Sequence, residues 1–169
     1  MTSADTGSSR GSVGVAPDGS FQVRFARNLP AAPAGVWARL ADPAALAAWL
    51  PGSRIDARVG GEVRFDFGDE GAAVGEVTRA DPPADGSAAL AHAWRWDDLP
   101  PSNVEWSLEA TTDGTRLALV HRDLTEQPAR EFALGWHMIL DALRLAIDGQ
   151  PTDAAWEVDD AVTAAYFGE

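Results

Sequence analysis

Apolar residues recur along this chain first at every second position and later at every third or fourth, and that change of period outlines its elements. Val13 and Val15, then Phe21, Val23 and Phe25, alternate with other residues on either side of Pro17-Asp18-Gly19-Ser20, which predicts a hairpin within residues 12–27. Pro33, and Pro43 preceded by Asp42 as an N-cap, predict two short helices over 33–41 and 43–50, with Trp37, Leu40, Leu46, Trp49 and Leu50 on their apolar faces. Short alternating runs follow, separated by Gly60-Gly61, Gly68 to Gly71, Pro82-Pro83 with Asp85-Gly86, Asp97 to Pro101, and Asp113-Gly114; these predict an antiparallel meander. Val63, Phe65 and Phe67 share one side of their strand, as do Val104, Trp106 and Leu108, while Asp66, Glu76, Glu105 and Glu109 fall on the wet side. Strand 87–96 groups Leu90, His92, Trp94 and Trp96, and strand 114–122 groups Leu117, Leu119 and His121. Over 128–148 the period turns helical: Phe132, Gly135, Trp136, Ile139, Leu140, Leu143 and Ile147 form one face. His137, Asp141, Arg144 and Asp148 form a charged stripe expected to face water. Gly149 and Pro151 stop that helix, and a last one over 153–167 carries Trp156, Val162, Tyr166 and Phe167.

The order of these elements gives an α+β fold in which a curved antiparallel sheet wraps one long amphipathic helix. Where that helix stands off the concave face an apolar cleft remains, the usual setting for a small-molecule site. The 169 residues suit one domain. Residues 1–11 are small and polar and read as a disordered tail, 12–149 as the domain, and 150–169 as a helical extension packed on it. Cysteine is absent, which removes disulfides, thiol nucleophiles and thiolate metal sites. All 13 basic residues are arginine, so no lysine is present for a Schiff base or a P-loop. A formal charge of −13 disfavours nucleic acid as a partner. No apolar run is long enough to insert into a bilayer, and the polar start carries no export signal, so the expected location is cytoplasmic.

Candidate chemistry is sparse. His92 shares a face with Trp94 and Trp96, where an imidazole could serve a ligand as a polar handle; a core histidine bonded to backbone is the plainer reading. His121 beside Arg122-Asp123 reads as a surface residue, and His137 as a solvated one. The three histidines lack the spacing of local metal-ligand pairs, and hydrolase, zincin and dinucleotide motifs are missing, so neither metal nor cofactor is expected. Seven tryptophans are the remaining signal. Trp37 and Trp136 suit helix–sheet packing, while Trp49, Trp94, Trp96 and Trp106 suit a cavity lining.

Several short pieces then occur in a telling order. Arg27-Asn28-Leu29 with Pro33 and Val36-Trp37 comes first, followed by Asp42-Pro43 leading to Trp49-Leu50-Pro51-Gly52. Gly60-Gly61 with Arg64-Phe65, Gly75-Glu76-Val77 and Trp94-Arg95-Trp96 come next, then Gly114-Thr115-Arg116-Leu117 ending at His121, and Gly135-Trp136. Together they resemble the START-like or SRPBCC superfamily, the helix-grip group, in the bacterial branch like the C-terminal domain of the activator of the 90-kDa heat-shock protein ATPase. That resemblance implies a sheet of about seven strands gripping the C-terminal helix around a cavity. The expectation is a protein that binds a small apolar molecule there without covalent chemistry. Trp49, Phe65, His92, Trp94, Trp96, Trp106, Leu119, Trp136 and Leu140 are expected to line the site. Two other readings stay open: a polyketide cyclase or aromatase-like enzyme, and a co-chaperone-like module with a protein partner.

Overall fold

In a computed structural model of the chain, which describes residues 10–157 and 160–167, the opening hairpin forms as β1 (Ser12–Val15) and β2 (Phe21–Leu29). Most of the tail expected over 1–11 lies outside the described residues; Gly11 is described, and its N–H donates to the Tyr166 hydroxyl at 2.9 Å. Helices α1 (Pro33–Ala41) and α2 (Pro43–Trp49) follow, each with proline in its first turn. The Asp42 carboxylate accepts from the Ala45 N–H at 3.1 Å, a cap that stabilises the second helix by about 1 kcal/mol.

The meander then runs β3 (Arg54–Ile55), β4 (Glu62–Asp66), β5 (Ala72–Ala84), β6 (Ser87–Trp94), β7 (Ser102–Thr111) and β8 (Gly114–Leu124). These make one open antiparallel sheet of eight strands in the order β1-β2-β8-β7-β6-β5-β4-β3. The eighth strand beyond the expected seven is β3, whose two residues are too short to show a period. Pairing of β2 with β8 brings the start of the chain beside its last strand, so α1 and α2 cross in between, and α1 packs over β5 to β8.

Register decides what lies on the concave face. Val77 pairs with His92, His92 with Val104, Val104 with His121 and His121 with Val23, so two imidazoles stand in one cross-strand row. The next row is Leu90, Trp106, Leu119 and Phe25. All of these side chains are buried. His121 is therefore interior, not a surface residue at a strand end, because its strand continues three residues beyond it.

The long helix α3 (Glu126–Ile147) is 22 residues, about 33 Å, and crosses that face. Ala129, Ala133 and Ala142 are fully buried beneath it and let it lie close. Gly149, at φ +72°, ends the helix, with its N–H donating to the Ala146 carbonyl and that of Gln150 to Leu145.

The extension expected as one helix is a 3-10 turn (Asp153–Trp156) and a helix α4 (Asp160–Phe167). Its buried Tyr166 changes the reading of the charged stripe. The phenol oxygen lies 2.8 Å from Nδ1 of His137, whose Nε2 is 3.3 Å from Asp141, and Asp141 accepts from Arg27 at 2.9 Å. His137 is thus buried, not solvated, because α4 and β2 cover that side of α3. Burial opposes ionisation of Asp141, but the hydrogen bond from His137 and the Arg27 charge prevail and hold its carboxyl below the usual value.

Candidate functional site

The space between sheet and helix is filled. Trp136 reaches down from α3 and meets Trp94, Trp106 and Phe65 with ring centroids 5.1, 5.4 and 5.7 Å away. Indole N–H groups can only donate; those of Trp106 and Trp136 donate to imidazoles, while the buried Trp94 Nε1 meets no acceptor among the described residues. Trp106 Nε1 gives to His92 Nε2 at 3.1 Å, and Trp136 Nε1 to His121 Nδ1 at 3.0 Å. Those bonds fix both tautomers: His92 carries its proton on Nδ1, facing the Ala93 carbonyl at 3.0 Å, and His121 on Nε2, facing the Ser102 hydroxyl at 2.8 Å.

Both rings are shut off from water, which penalises the charged form. Burial lowers His92 to about 4, against the Ala93 carbonyl bond that favours its proton. Burial, and then the neighbouring His92, lower His121 to about 3. Two neutral histidines sealed in an aromatic core make a structural network, with no exposed nitrogen to hand a proton to a substrate.

Of the nine residues expected around a hollow, Trp49, Phe65, His92, Trp94, Trp106, Leu119, Trp136 and Leu140 are instead buried side chains of this closed core. Trp49 packs apart from the others, donating to the Arg39 carbonyl at 3.0 Å. Trp94 edges a pocket of only about 10 Å³, and of the nine Trp96 alone lines a larger open space.

That open space is a cleft of about 650 Å³ on the flank of α3. Its aromatic wall is Phe67, Trp96 and Phe132, each neighbouring pair of rings 5.7 Å apart. Leu50 and Pro51, after α2, and Leu99 also line it. Leu134, Gly135 and Met138 are the α3 side, while Trp156 and Phe167 of the extension form a further wall. Two glycines shape it. Gly71, at φ +121°, lies so near the Trp96 ring that a Cβ would sit 3.3 Å from it. A Cβ on Gly135 would meet nothing within 4 Å, so this mid-helix glycine leaves room that a side chain would occupy.

Three acidic side chains, Asp66, Glu70 and Glu131, also line the cleft. Asp66 is held on three sides. Its N–H donates to Ser53 Oγ at 3.1 Å, its Oδ1 accepts from the Gly68 N–H at 2.8 Å, and its Oδ2 packs against Gly52. Among the described residues no group of His, Asp and Glu could hold a metal ion, and no helix is long and apolar enough to cross a membrane.

Period counting missed most of this lining for a definable reason. Glu131, Leu134 and Met138, with Gly135 that period counting assigns to the main apolar face, form a second stripe on α3 offset from the buried one, and a single strongest face hides it. A glycine amid that stripe was the available signal.

An antiparallel sheet closed over by a long C-terminal helix, with two short helices after the opening hairpin, defines a START-like, helix-grip protein. Within that class the chain belongs to the family described as Activator of Hsp90 ATPase homolog 1-like protein, whose model matches residues 30–148. CalU16 from Micromonospora echinospora is similar in structure, with 27% identity, a TM-score of 0.75, and coverage of 94% of this chain and 95% of its own. A Bordetella parapertussis protein, BPP1335, is 26% identical at a TM-score of 0.66, over 88% of this chain and 85% of its own. DynU16, a protein of the dynemicin biosynthetic locus, is 26% identical at 0.62, over 78% of this chain and 49% of its own. No curated protein matches the chain.

Proposed function

We propose that this protein binds a small, mostly apolar molecule non-covalently in the cleft between the Phe67–Trp96–Phe132 wall and the flank of α3. The observation that carries this reading is the cleft itself: about 650 Å³, mostly apolar and aromatic, with a few polar groups. Sites for compact organic ligands typically have that size and composition. Similarity to a protein of a biosynthetic locus supports a small-molecule role. An enzymatic variant would have to use the cleft carboxylates, since His92 is sealed in the core.

The test is a thermal-shift and tryptophan-fluorescence screen of hydrophobic compounds against the wild type and Gly135→Leu. At a hundredfold excess over Kd a ligand should raise Tm by about 5–10 °C. Gly135→Leu, which fills the cleft from the helix, should abolish that rise while leaving the free protein folded. Silence across all compound classes, or undiminished binding by the variant, would overturn the reading. A stoichiometric protein partner that binds the wild type and Gly135→Leu alike, with no small-molecule response, would favour the interaction-module alternative.

A further inference from the structure

The charges on the cleft are of one sign. Asp66, Glu70 and Glu131 line it, and none of the chain's 13 arginines does. Elsewhere arginines pair with carboxylates, as Arg27 does with Asp141 and Arg122 with Glu105, but among the described residues these three have no cationic partner. Asp66 stands out because its position is set by backbone and packing. Ser53 anchors its backbone N–H, Gly68 holds its Oδ1 and Gly52 leaves room for its Oδ2, so its carboxylate is placed in the cleft lining before any ligand arrives.

Three physical terms then agree on the sign of the guest. A carboxylate next to apolar walls interacts with a charge more strongly than one in bulk water. Aromatic rings present their negative faces, which attract cations. A net charge of −13 adds a general field of the same sign. An anionic amphiphile, such as a fatty acid, would meet repulsion from all three.

We propose that the ligand of this cleft is a cation: a ring-bearing or alicyclic body against Trp96 and Phe132, carrying a protonated amine whose counter-ion is Asp66. This rests on the reading that the cleft takes an apolar small molecule, and adds the charge that molecule carries.

Three probes with one ring system separate the two claims: aminomethylanthracene, hydroxymethylanthracene and anthracene carboxylate. Each is titrated by fluorescence at about 0.15 M ionic strength, where long-range attraction is largely screened. The amine should bind about tenfold more tightly than the alcohol, and the carboxylate most weakly. Asp66→Asn, whose amide oxygen can still accept from Gly68, should bring the amine to the affinity of the alcohol and leave the alcohol unchanged. Equal binding of amine and alcohol to the wild type would overturn the cation proposal while the apolar cleft stood. No binding of any probe would overturn the cleft reading and this one with it. An amine preference that survives Asp66→Asn would overturn the assignment to Asp66.

Discussion

Lowering the pH from 7 to 5 should destabilise this protein steeply, and the two core histidines set the size of the effect. In the unfolded chain a histidine titrates near 6.5, whereas burial holds His92 at about 4 and His121 at about 3. Folding therefore keeps both rings neutral where the unfolded chain would take up protons. Their depressed pKa values cost nothing above about pH 6.5; below it each withdraws about 1.4 kcal/mol of stability per pH unit, until the pH reaches its folded value. At pH 5 the pair together removes about 4 kcal/mol, a large share of the 5–15 kcal/mol that holds a typical domain. The depressed carboxyl of Asp141 acts in the same direction but only as pH falls below the ordinary value of 3.8, outside this window. Urea unfolding followed by far-ultraviolet circular dichroism at several pH values reads the slope, and imidazole NMR assigns it. Stability that stays level from pH 7 to 5, or His92 and His121 resonances titrating near 6.5, would refute the reasoning.

Trp136→Phe should cost about 1–3 kcal/mol beyond its lost contacts, because His121 Nδ1 is left without its donor, and NMR should show that ring titrating at higher pH than in the wild type. Gly75→Ala should lower the urea midpoint by the equivalent of about 1–3 kcal/mol or more, since its Cβ would strike the backbone carbonyl of Ala93 across the β5–β6 pair. Asp141→Asn removes the counter-charge of the buried Arg27. As the Asp141 side chain is 38% exposed, the loss should be about 2 kcal/mol, below the range for a fully buried pair, and calorimetry at pH 7 measures it.

Much of the architecture is readable from local signals. The alternation around Phe65 and Trp106, the Asp42-Pro43 start and the Gly149 stop each act within a few residues, and each corresponds to an observed element. The positions of His121 and His137 were not readable, because distant residues decide them. His121 is interior through its pairing with Val23, nearly a hundred residues earlier, and His137 is covered by Tyr166 of the extension. Nor does period counting measure volume. It puts Trp94, Trp106 and Trp136 on facing surfaces, but whether such rings enclose a hollow or fill it depends on how near the helix lies. Here the small residues Ala129 and Ala133 bring it close, and the indoles satisfy the imidazoles that a ligand would otherwise engage.

Trp156 and Phe167 stand beyond the family match, which ends at residue 148, yet they form part of the cleft wall. A protein ended at residue 148 would keep the Trp94, Trp106 and Trp136 cluster but lose part of its receptacle together with Tyr166, the buried partner of His137. The short tail is at once a flank for the guest and a brace for α3, so in this protein its exchange would alter selectivity and stability together.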